Sequence, residues 1–201
     1  MISIVLIDDH PLAIKGIGTW LCGTGRFEIA GAEGTLAGAR SLLERLDCLP
    51  EIIILDISLG EEDGLEFIPE LKEIYAKRNA APPGILVCSM YEVPFLIQRA
   101  FDAGANAYVA KSAEAEEIIA AIDAICAGNT YVNPKYRSEA HKPAWPALTQ
   151  RENEIVWLVK QSYSTRQIAR RLGISARTVE NHLSHIYVKT NASSRAELFE
   201  L

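Results

Sequence analysis

Cysteine is scarce in this chain, and no two cysteines are spaced as a metal-binding or redox pair. The 201 residues include four, at Cys22, Cys48, Cys88 and Cys126. Such isolated thiols are typical of a reducing compartment and argue against a zinc site or a disulfide framework. The chain also lacks an apolar run of the roughly 18 residues that a membrane-spanning helix needs, and it lacks a basic, apolar leader. We therefore expect a cytoplasmic protein without a membrane partner.

Charge is distributed unevenly along the chain. The net charge is −6, yet from Leu148 onward eight Lys and Arg face five Asp and Glu. The preceding residues carry 12 Lys and Arg against 21 Asp and Glu. A hydrophobic fraction of 49% is that of a folded chain rather than a disordered one. The acidic front and the mildly basic back predict two domains with different partners.

Five short apolar runs rich in β-branched residues predict strands. They are Ile2–Ile7, Phe27–Ala32, Ile52–Leu55, Ile85–Ser89 and Ala107–Ala110. Segments of helical length, with apolar residues three and four apart, separate the runs and follow the last one. This alternation predicts an α/β domain whose five-stranded parallel sheet is covered by helices on both faces.

Chemically active side chains follow these strands. Asp8 and Asp9 come after the first, Asp56 after the third and Lys111 after the fifth, and Ser89 ends the fourth. Because ligands bind at the carboxyl edge of an open α/β sheet, we expect these side chains to meet there. Carboxylates suit Mg2+, and a carboxylate beside a lysine suits phosphoryl transfer. Any one acid alone is equally well explained as a solvated loop residue or a helix cap, but the set favours a site.

The alternation of strands and helices ends near residue 128. Residues 128–147 contain three prolines and predict a linker. Capping boxes then mark helix starts at Thr149 with Glu152, Ser164 with Gln167 and Ser194 with Glu197, and Ser175 can cap one more helix alone. These signals predict a compact all-α domain of four short helices over residues 148–201.

One predicted helix, residues 175–189, has two contrasting faces. Val179, Leu183 and Ile186 form an apolar stripe that predicts burial. The opposite face carries short polar and basic side chains, as a helix lying in the major groove of DNA requires. The preceding short helix and turn give helix-turn-helix spacing. A solvated surface helix in a small bundle explains the same pattern equally well.

Four motifs in the first part of the chain are similar to those of a known family. They are IDDHP (Ile7–Pro11), ILDISLGEEDG (Ile54–Gly64), LVCSM (Leu86–Met90) and GANAYVAK (Gly104–Lys111). Residues 1–127 resemble the receiver domain of a two-component response regulator. The resemblance implies a flavodoxin-like fold with strand order 2-1-3-4-5.

The same resemblance implies a role for each pocket residue. The phosphoacceptor would be Asp56. The Mg2+ ligands would be Asp8, Asp9, Asp56 and the backbone carbonyl of Ser58. The residues that sense the phosphate and switch would be Ser89, Tyr108 and Lys111.

The last part of the chain is similar to a second family. LTQRENEIVWLV, IARRLGISARTVENHLSHIYVKT and SSRAEL resemble the LuxR-type helix-turn-helix across Leu148–Leu198. Together the two parts resemble the NarL/FixJ subfamily of response regulators, with residues 128–147 as the linker. The resemblance implies that the base contacts come from Glu180, Asn181 and Ser184. The candidates for phosphate contacts are Arg177 and Lys189.

The resemblance implies a phosphorylation-controlled transcriptional regulator. A sensor histidine kinase would phosphorylate Asp56 with Mg2+, switching dimerisation or the exposure of helix 175–189 toward a double-stranded DNA operator. We expect a homodimer when phosphorylated, and no enzyme beyond a receiver that assists its own phosphorylation and dephosphorylation. Two alternatives stay open. One is a receiver-like domain regulated by contacts or a ligand without phosphorylation, and the other, less favoured, is a Mg2+-dependent phosphohydrolase.

The chain departs from the family pattern at several positions. Gly60 and Ser112 stand where proline is common, and Ser162 stands where glycine is usual. Glycine frees a loop that proline would fix. We therefore expect Gly60 to affect the rate or the lifetime of phosphorylation rather than the chemistry itself.

Overall fold

A computed structural model describes residues 1–60, 62–92, 94–137, 148–172 and 174–199. The described residues fall into two compact units. The first comprises Met1–Glu92 and Leu96–Arg137, and the second includes the described residues from Leu148 onward. Residues 138–147 of the predicted linker lie outside the described residues. Within the described ranges, no helix is long and apolar enough to cross a membrane.

The first unit alternates strands and helices along the chain. Its strands are β1 (Ile2–Ile7), β2 (Phe27–Glu33), β3 (Ile52–Leu55), β4 (Ser58–Leu59), β5 (Glu62–Asp63), β6 (Gly84–Ser89), β7 (Ala107–Ala110) and β8 (Tyr131–Val132). Its α-helices are α1 (Pro11–Gly23), α2 (Leu36–Arg45), α3 (Phe67–Lys77), α4 (Pro94–Ala103, which enters this unit at Leu96), α5 (Ala115–Cys126) and α6 (Pro134–Arg137). The five predicted strands are all present, with ends that differ by one residue at most.

The main sheet is parallel and has the order β2-β1-β3-β6-β7-β8. Its first five strands confirm the predicted flavodoxin-like order. The sixth strand extends the predicted five-stranded sheet, because Tyr131 and Val132 pair with Ala107 and Tyr108 of β7. Two residues are too short to show a hydrophobic period, so the sequence assigned them to the linker.

The central strands lie in the core. Every residue of β3 and β7 is buried, as expected for parallel strands covered by helices on both faces. Since a parallel sheet brings the carboxyl ends of its strands to one edge, the side chains that follow β1, β3 and β7 come together there.

The second unit is helical. Its α-helices are α7 (Gln150–Lys160), α8 (Thr165–Arg171) and α9 (Ala176–Thr190). Thr149 and Ser164 form the predicted capping boxes, and Ser175 accepts a hydrogen bond from the backbone N–H of Thr178 at 3.0 Å. The fourth predicted helix differs: in the described part it is a 3-10 turn, Glu197–Phe199.

The buried face of α9 agrees with the sequence. Val179, Leu183 and Ile186 are all buried, which confirms the predicted apolar stripe. Before α8, Ser162 adopts φ +63°, a left-handed conformation that favours glycine over residues with a side chain. This explains why glycine suits that position better than the serine found here.

Candidate functional site

Lys111 connects two carboxylates at the edge of the sheet. Its Nζ lies 2.6 Å from Asp8 Oδ2 and 2.7 Å from Asp56 Oδ2. Asp8 and Asp56 are both buried. The backbone N–H of Asp56 donates to Ile7 O at 2.9 Å, and that of Lys111 donates to Ser89 O at 2.7 Å. The strand ladders therefore continue through the site and fix the positions of its side chains.

Burial and charge together set the protonation of this pair. Burial raises the pKa of the Asp56 carboxyl, and the hydrogen bond from Lys111 opposes that rise only in part. Burial favours a lower pKa for Lys111, but its hydrogen bonds to Asp56 and Asp8 raise the pKa overall. Lys111 therefore keeps its charge beside a carboxylate more basic than an exposed one. A desolvated carboxylate held by a fixed cation suits covalent group transfer.

The oxygen atoms around the pair fit a hard cation. Asp8, Asp9, His10 and Asp56 each place a ligand atom within 4.8 Å of the others. The buried Asp9 Oδ1 accepts no hydrogen bond from the described residues. His10 Nδ1 lies 2.7 Å from this oxygen. The Asp9 oxygen, which lies beside the carboxylates of Asp8 and Asp56, therefore fits Mg2+. The backbone carbonyl of Ser58 stays a predicted ligand.

A short hairpin holds the second acidic residue. Strands β4 and β5 pair antiparallel, and the turn between them begins at Gly60 with φ +59°. The backbone N–H of Gly60 donates to Asp9 Oδ2 at 2.8 Å. Proline has no N–H and is fixed near φ −65°, so it fits neither the turn nor this hydrogen bond. The departure at Gly60 thus provides a donor that orients a candidate metal ligand.

Substituting Gly60 tests this contact. We expect Gly60→Pro to weaken Mg2+ binding by about 10- to 100-fold, the usual effect of losing a hydrogen bond behind a metal ligand. Gly60→Ala keeps the N–H and serves as the matched control, with backbone strain of about 1–2 kcal/mol. Calorimetric titration of the full chain with Mg2+ measures the affinities. Equal affinities in the two variants would contradict the role of this N–H.

The predicted switch residues lie together beside the pocket. Ser89 is fully buried, and Tyr108 is nearly so. The Ser89 hydroxyl accepts a hydrogen bond from the Tyr91 N–H at 3.3 Å, and the Tyr108 hydroxyl donates to the Tyr91 carbonyl. Burial raises the pKa of Tyr108, with a hydrogen bond to Ser89 opposing the rise. The structure therefore brings Ser89 and Tyr108 together at the loop that follows β6.

The predicted DNA-reading side chains share the outer face of α9. Arg177, Glu180, Asn181 and Ser184 are all exposed. The Ser184 hydroxyl donates to Glu180 O, four residues earlier, at 3.0 Å. That bond leaves the hydroxyl oxygen with an acceptor site toward solvent. The part of this face from Arg177 to Ser184 is polar, as a major-groove helix requires, and the exposed Val188 continues it toward the end of α9. The base contacts remain predictions.

Lys189 has a partner within its own domain. Its Nζ lies 2.7 Å from Glu152 Oε2 and 3.0 Å from Oε1. Glu152 is buried and also closes the capping box of α7. Although burial opposes the change, hydrogen bonds from Lys189 and Thr149 lower the pKa of Glu152. The ammonium that the sequence suggested for a DNA phosphate thus ties the end of α9 to the start of α7.

Two further arginines present their side chains to solvent. Arg166 and Arg170 are exposed and lie four residues apart on α8, so they share a face. In helix-turn-helix domains the first helix crosses the DNA backbone. Their spacing can be seen in the sequence, but their exposure cannot. Arg171, on the same helix, is less exposed and donates to the Tyr163 hydroxyl at 2.6 Å. They are added candidates for phosphate contacts.

Comparison with known families agrees with this arrangement. A model described as the response regulator receiver domain matches residues 4–123. A second, described as bacterial regulatory proteins of the luxR family, matches residues 146–201. The chain therefore belongs to the response regulators that join a receiver domain to a LuxR-type DNA-binding domain.

Known relatives extend over nearly the whole chain. The transcriptional regulatory protein DesR of Bacillus subtilis is 30% identical over 197 residues, covering 98% of this chain and 94% of its own. The response regulator protein VraR of Staphylococcus aureus is 27% identical over 202 residues, covering 98% and 93%. RcsB of Salmonella enterica serovar Typhimurium, solved on promoter rprA with phosphomimetic BeF3-, has a TM-score of 0.77 at 21% identity, covering 100% of this chain and 98% of its own. At 21% identity, the similarity to RcsB shows a shared fold and nothing more.

Proposed function

We propose that this protein is a transcriptional regulator switched by phosphorylation of Asp56. The observation that carries the proposal is the Lys111 ammonium, which contacts both Asp8 and Asp56 at the edge of the sheet. A carboxylate with this neighbour suits phosphoryl acceptance. The second unit, with the exposed polar face of α9, would deliver the response to DNA.

Each pocket residue would have a definite part in the transfer. A carboxylate oxygen of Asp56 forms a bond to phosphorus as the bond from phosphorus to the kinase histidine nitrogen breaks. Lys111 takes up charge on the phosphoryl oxygens, and Ser89 donates a hydrogen bond to one of them. When bound by Asp8, Asp9 and Asp56, Mg2+ supplies further neutralisation of that charge. The only catalysis we assign to the chain is assistance to its own phosphorylation and dephosphorylation.

The relatives support the proposed partners. RcsB has been solved on promoter DNA with phosphomimetic BeF3-, and as two dimers on two DNAs. For this chain we infer a sensor histidine kinase as donor, a double-stranded operator as target and a homodimer in the phosphorylated state. We also infer a cytoplasmic location and a division into a receiver over residues 1–127, a linker over 128–147 and a DNA-binding domain over 148–201.

Selection from random duplex DNA tests the proposed DNA recognition. With Mg2+ and a small acyl phosphate, we expect the full chain to enrich a duplex containing two half-sites. Asn181→Ala should weaken binding to that duplex by about 1–3 kcal/mol, the usual value of a base contact. Arg177→Ala should weaken binding to selected and scrambled duplexes alike. Fluorescence anisotropy measures both affinities.

The matched control for these variants is Ser193→Ala, which alters an exposed polar residue outside α9. We expect this control to bind as the wild type does. A selection that enriches no duplex, with or without acyl phosphate, would overturn the DNA-binding part of the proposal.

A further inference from the structure

The carboxylate of Glu92 gathers hydrogen bonds from two separate parts of the first unit. Glu92 lies in the loop that follows β6. Its Oε1 accepts from the Ser112 hydroxyl at 3.2 Å. Its Oε2 accepts from Lys135 Nζ at 3.2 Å and from the Tyr136 hydroxyl. Three donors on one carboxylate form a charge-assisted cluster that restrains each of the segments involved.

Two of those donors belong to a segment that the sequence assigned to the linker. Residues 131–137 extend the sheet through β8 and continue into α6. The Asn133 side chain donates to Glu117 Oε1 of α5 at 2.9 Å, and Tyr136 is buried. Lys135 and Tyr136 stand just before residues 138–147, which lead to the second unit. Glu92 is therefore one of the attachments that hold the start of this connection to the receiver.

The other contacts of Glu92 lead to the phosphorylation pocket. Tyr91, the preceding residue, donates its N–H to the Ser89 hydroxyl at 3.3 Å and accepts a hydrogen bond from Tyr108. Ser112 directly follows Lys111, whose backbone N–H donates to Ser89 O. Glu92 therefore links three parts of the first unit: the loop that follows β6, the residue after Lys111, and residues 131–137.

We propose that Glu92 is a latch that holds residues 131–137 against the receiver at rest, and that phosphorylation of Asp56 loosens it. The inference rests on the proposed function. A Ser89 hydroxyl that turns to donate to the phosphoryl group gives up its contact with the Tyr91 N–H. Movement of Lys111 toward the phosphoryl oxygens displaces Ser112. Both changes act on Glu92, so the linker segment loses an attachment when the pocket is occupied.

Hydrogen–deuterium exchange of the full chain tests the latch at rest. In unphosphorylated protein, Glu92→Ala should speed exchange of the amides in 131–137 by roughly tenfold, the factor that corresponds to 1.4 kcal/mol. Tyr136→Phe removes one donor from the linker side and should produce part of that change. Glu114→Gln is the matched control, because Glu114 is exposed and its side chain makes no capping hydrogen bond at α5. Unchanged exchange in Glu92→Ala would overturn the latch.

A second arm of the experiment tests the coupling. With Mg2+ and a small acyl phosphate, wild-type exchange in 131–137 should rise toward that of Glu92→Ala, and Glu92→Ala itself should change little. Intact mass recorded in parallel shows whether the phosphoryl group was added. A phosphorylated wild type whose linker amides exchange as at rest would overturn the coupling alone. A wild type that takes no phosphoryl group from acyl phosphate or from a cognate kinase would overturn the proposed function. The first arm tests the latch at rest independently of that result.

Discussion

Asp56→Asn takes up no phosphoryl group when incubated with Mg2+ and a small acyl phosphate, whereas the wild type gains one. The amide oxygen of asparagine is a far weaker nucleophile than the buried carboxylate beside Lys111. Asparagine is close to aspartate in size, so the loss reports chemistry rather than packing. Intact-protein mass spectrometry over a time course measures the result.

Asp47→Asn is the matched control, because Asp47 is an exposed aspartate in the same unit. It should be phosphorylated as the wild type is. Phosphorylation of Asp56→Asn at the wild-type level would place the acceptor elsewhere. If the wild type stayed unmodified with both acyl phosphate and a cognate kinase, the phosphoryl switch would be wrong. The chain would then be a DNA-binding protein that is constitutive or regulated by contacts or a ligand.

Lys111→Met destabilises the protein by about 3–5 kcal/mol at neutral pH without Mg2+, the range for removing one partner of a buried ion pair. The variant leaves Asp8 and Asp56 buried without their shared cation. The deficit should shrink as the pH falls. Burial raises the pKa of Asp56 and the hydrogen bond from Lys111 opposes that rise, so the pKa should lie higher in the variant than in the wild type. The folded variant therefore gains its proton first as the pH falls, and its stability is lost again as the pH rises through that pKa. Urea unfolding at several pH values gives the free energies.

A double-mutant cycle separates the ion pair from packing. In an Asp56→Asn background, Lys111→Met should lose less free energy of unfolding, because only one buried carboxylate is left without its cation. Lys15→Met is the control, since Lys15 is exposed on α1. Equal losses with and without the Asp56 carboxylate would show that Lys111 does not stabilise the fold through Asp56.

The sequence predicts the elements and the chemistry of the pocket because both depend on local patterns. Strand runs of four to seven residues show their apolar character directly, and the residues that follow them must meet at the carboxyl edge of a parallel sheet. The buried face of α9 was predicted in the same way, since helical spacing alone places Val179, Leu183 and Ile186 on one side.

The contacts that the sequence did not reveal join residues far apart in the chain. Glu92 meets Tyr136 across 44 positions, and Lys189 meets Glu152 across 37. No periodicity encodes such pairs. The hydrogen bond from Gly60 to Asp9 is hidden for another reason, because its donor is a backbone N–H that no side chain announces. The strand β8 was missed because two residues carry no period.

The ion pair between Lys189 and Glu152 also bears on how strongly DNA binding depends on ionic strength. A protein cation that neutralises a phosphate releases a condensed counterion, and each such contact steepens the salt dependence by about 0.9 for B-DNA. Lys189 is already neutralised by a buried carboxylate, so a phosphate near it must compete with Glu152. In the proposed complex with DNA, we expect the ion release to come mainly from exposed arginines such as Arg166, Arg170 and Arg177. Pairing with Glu152 therefore leaves Lys189 less available to a phosphate than its position near the end of α9 suggests.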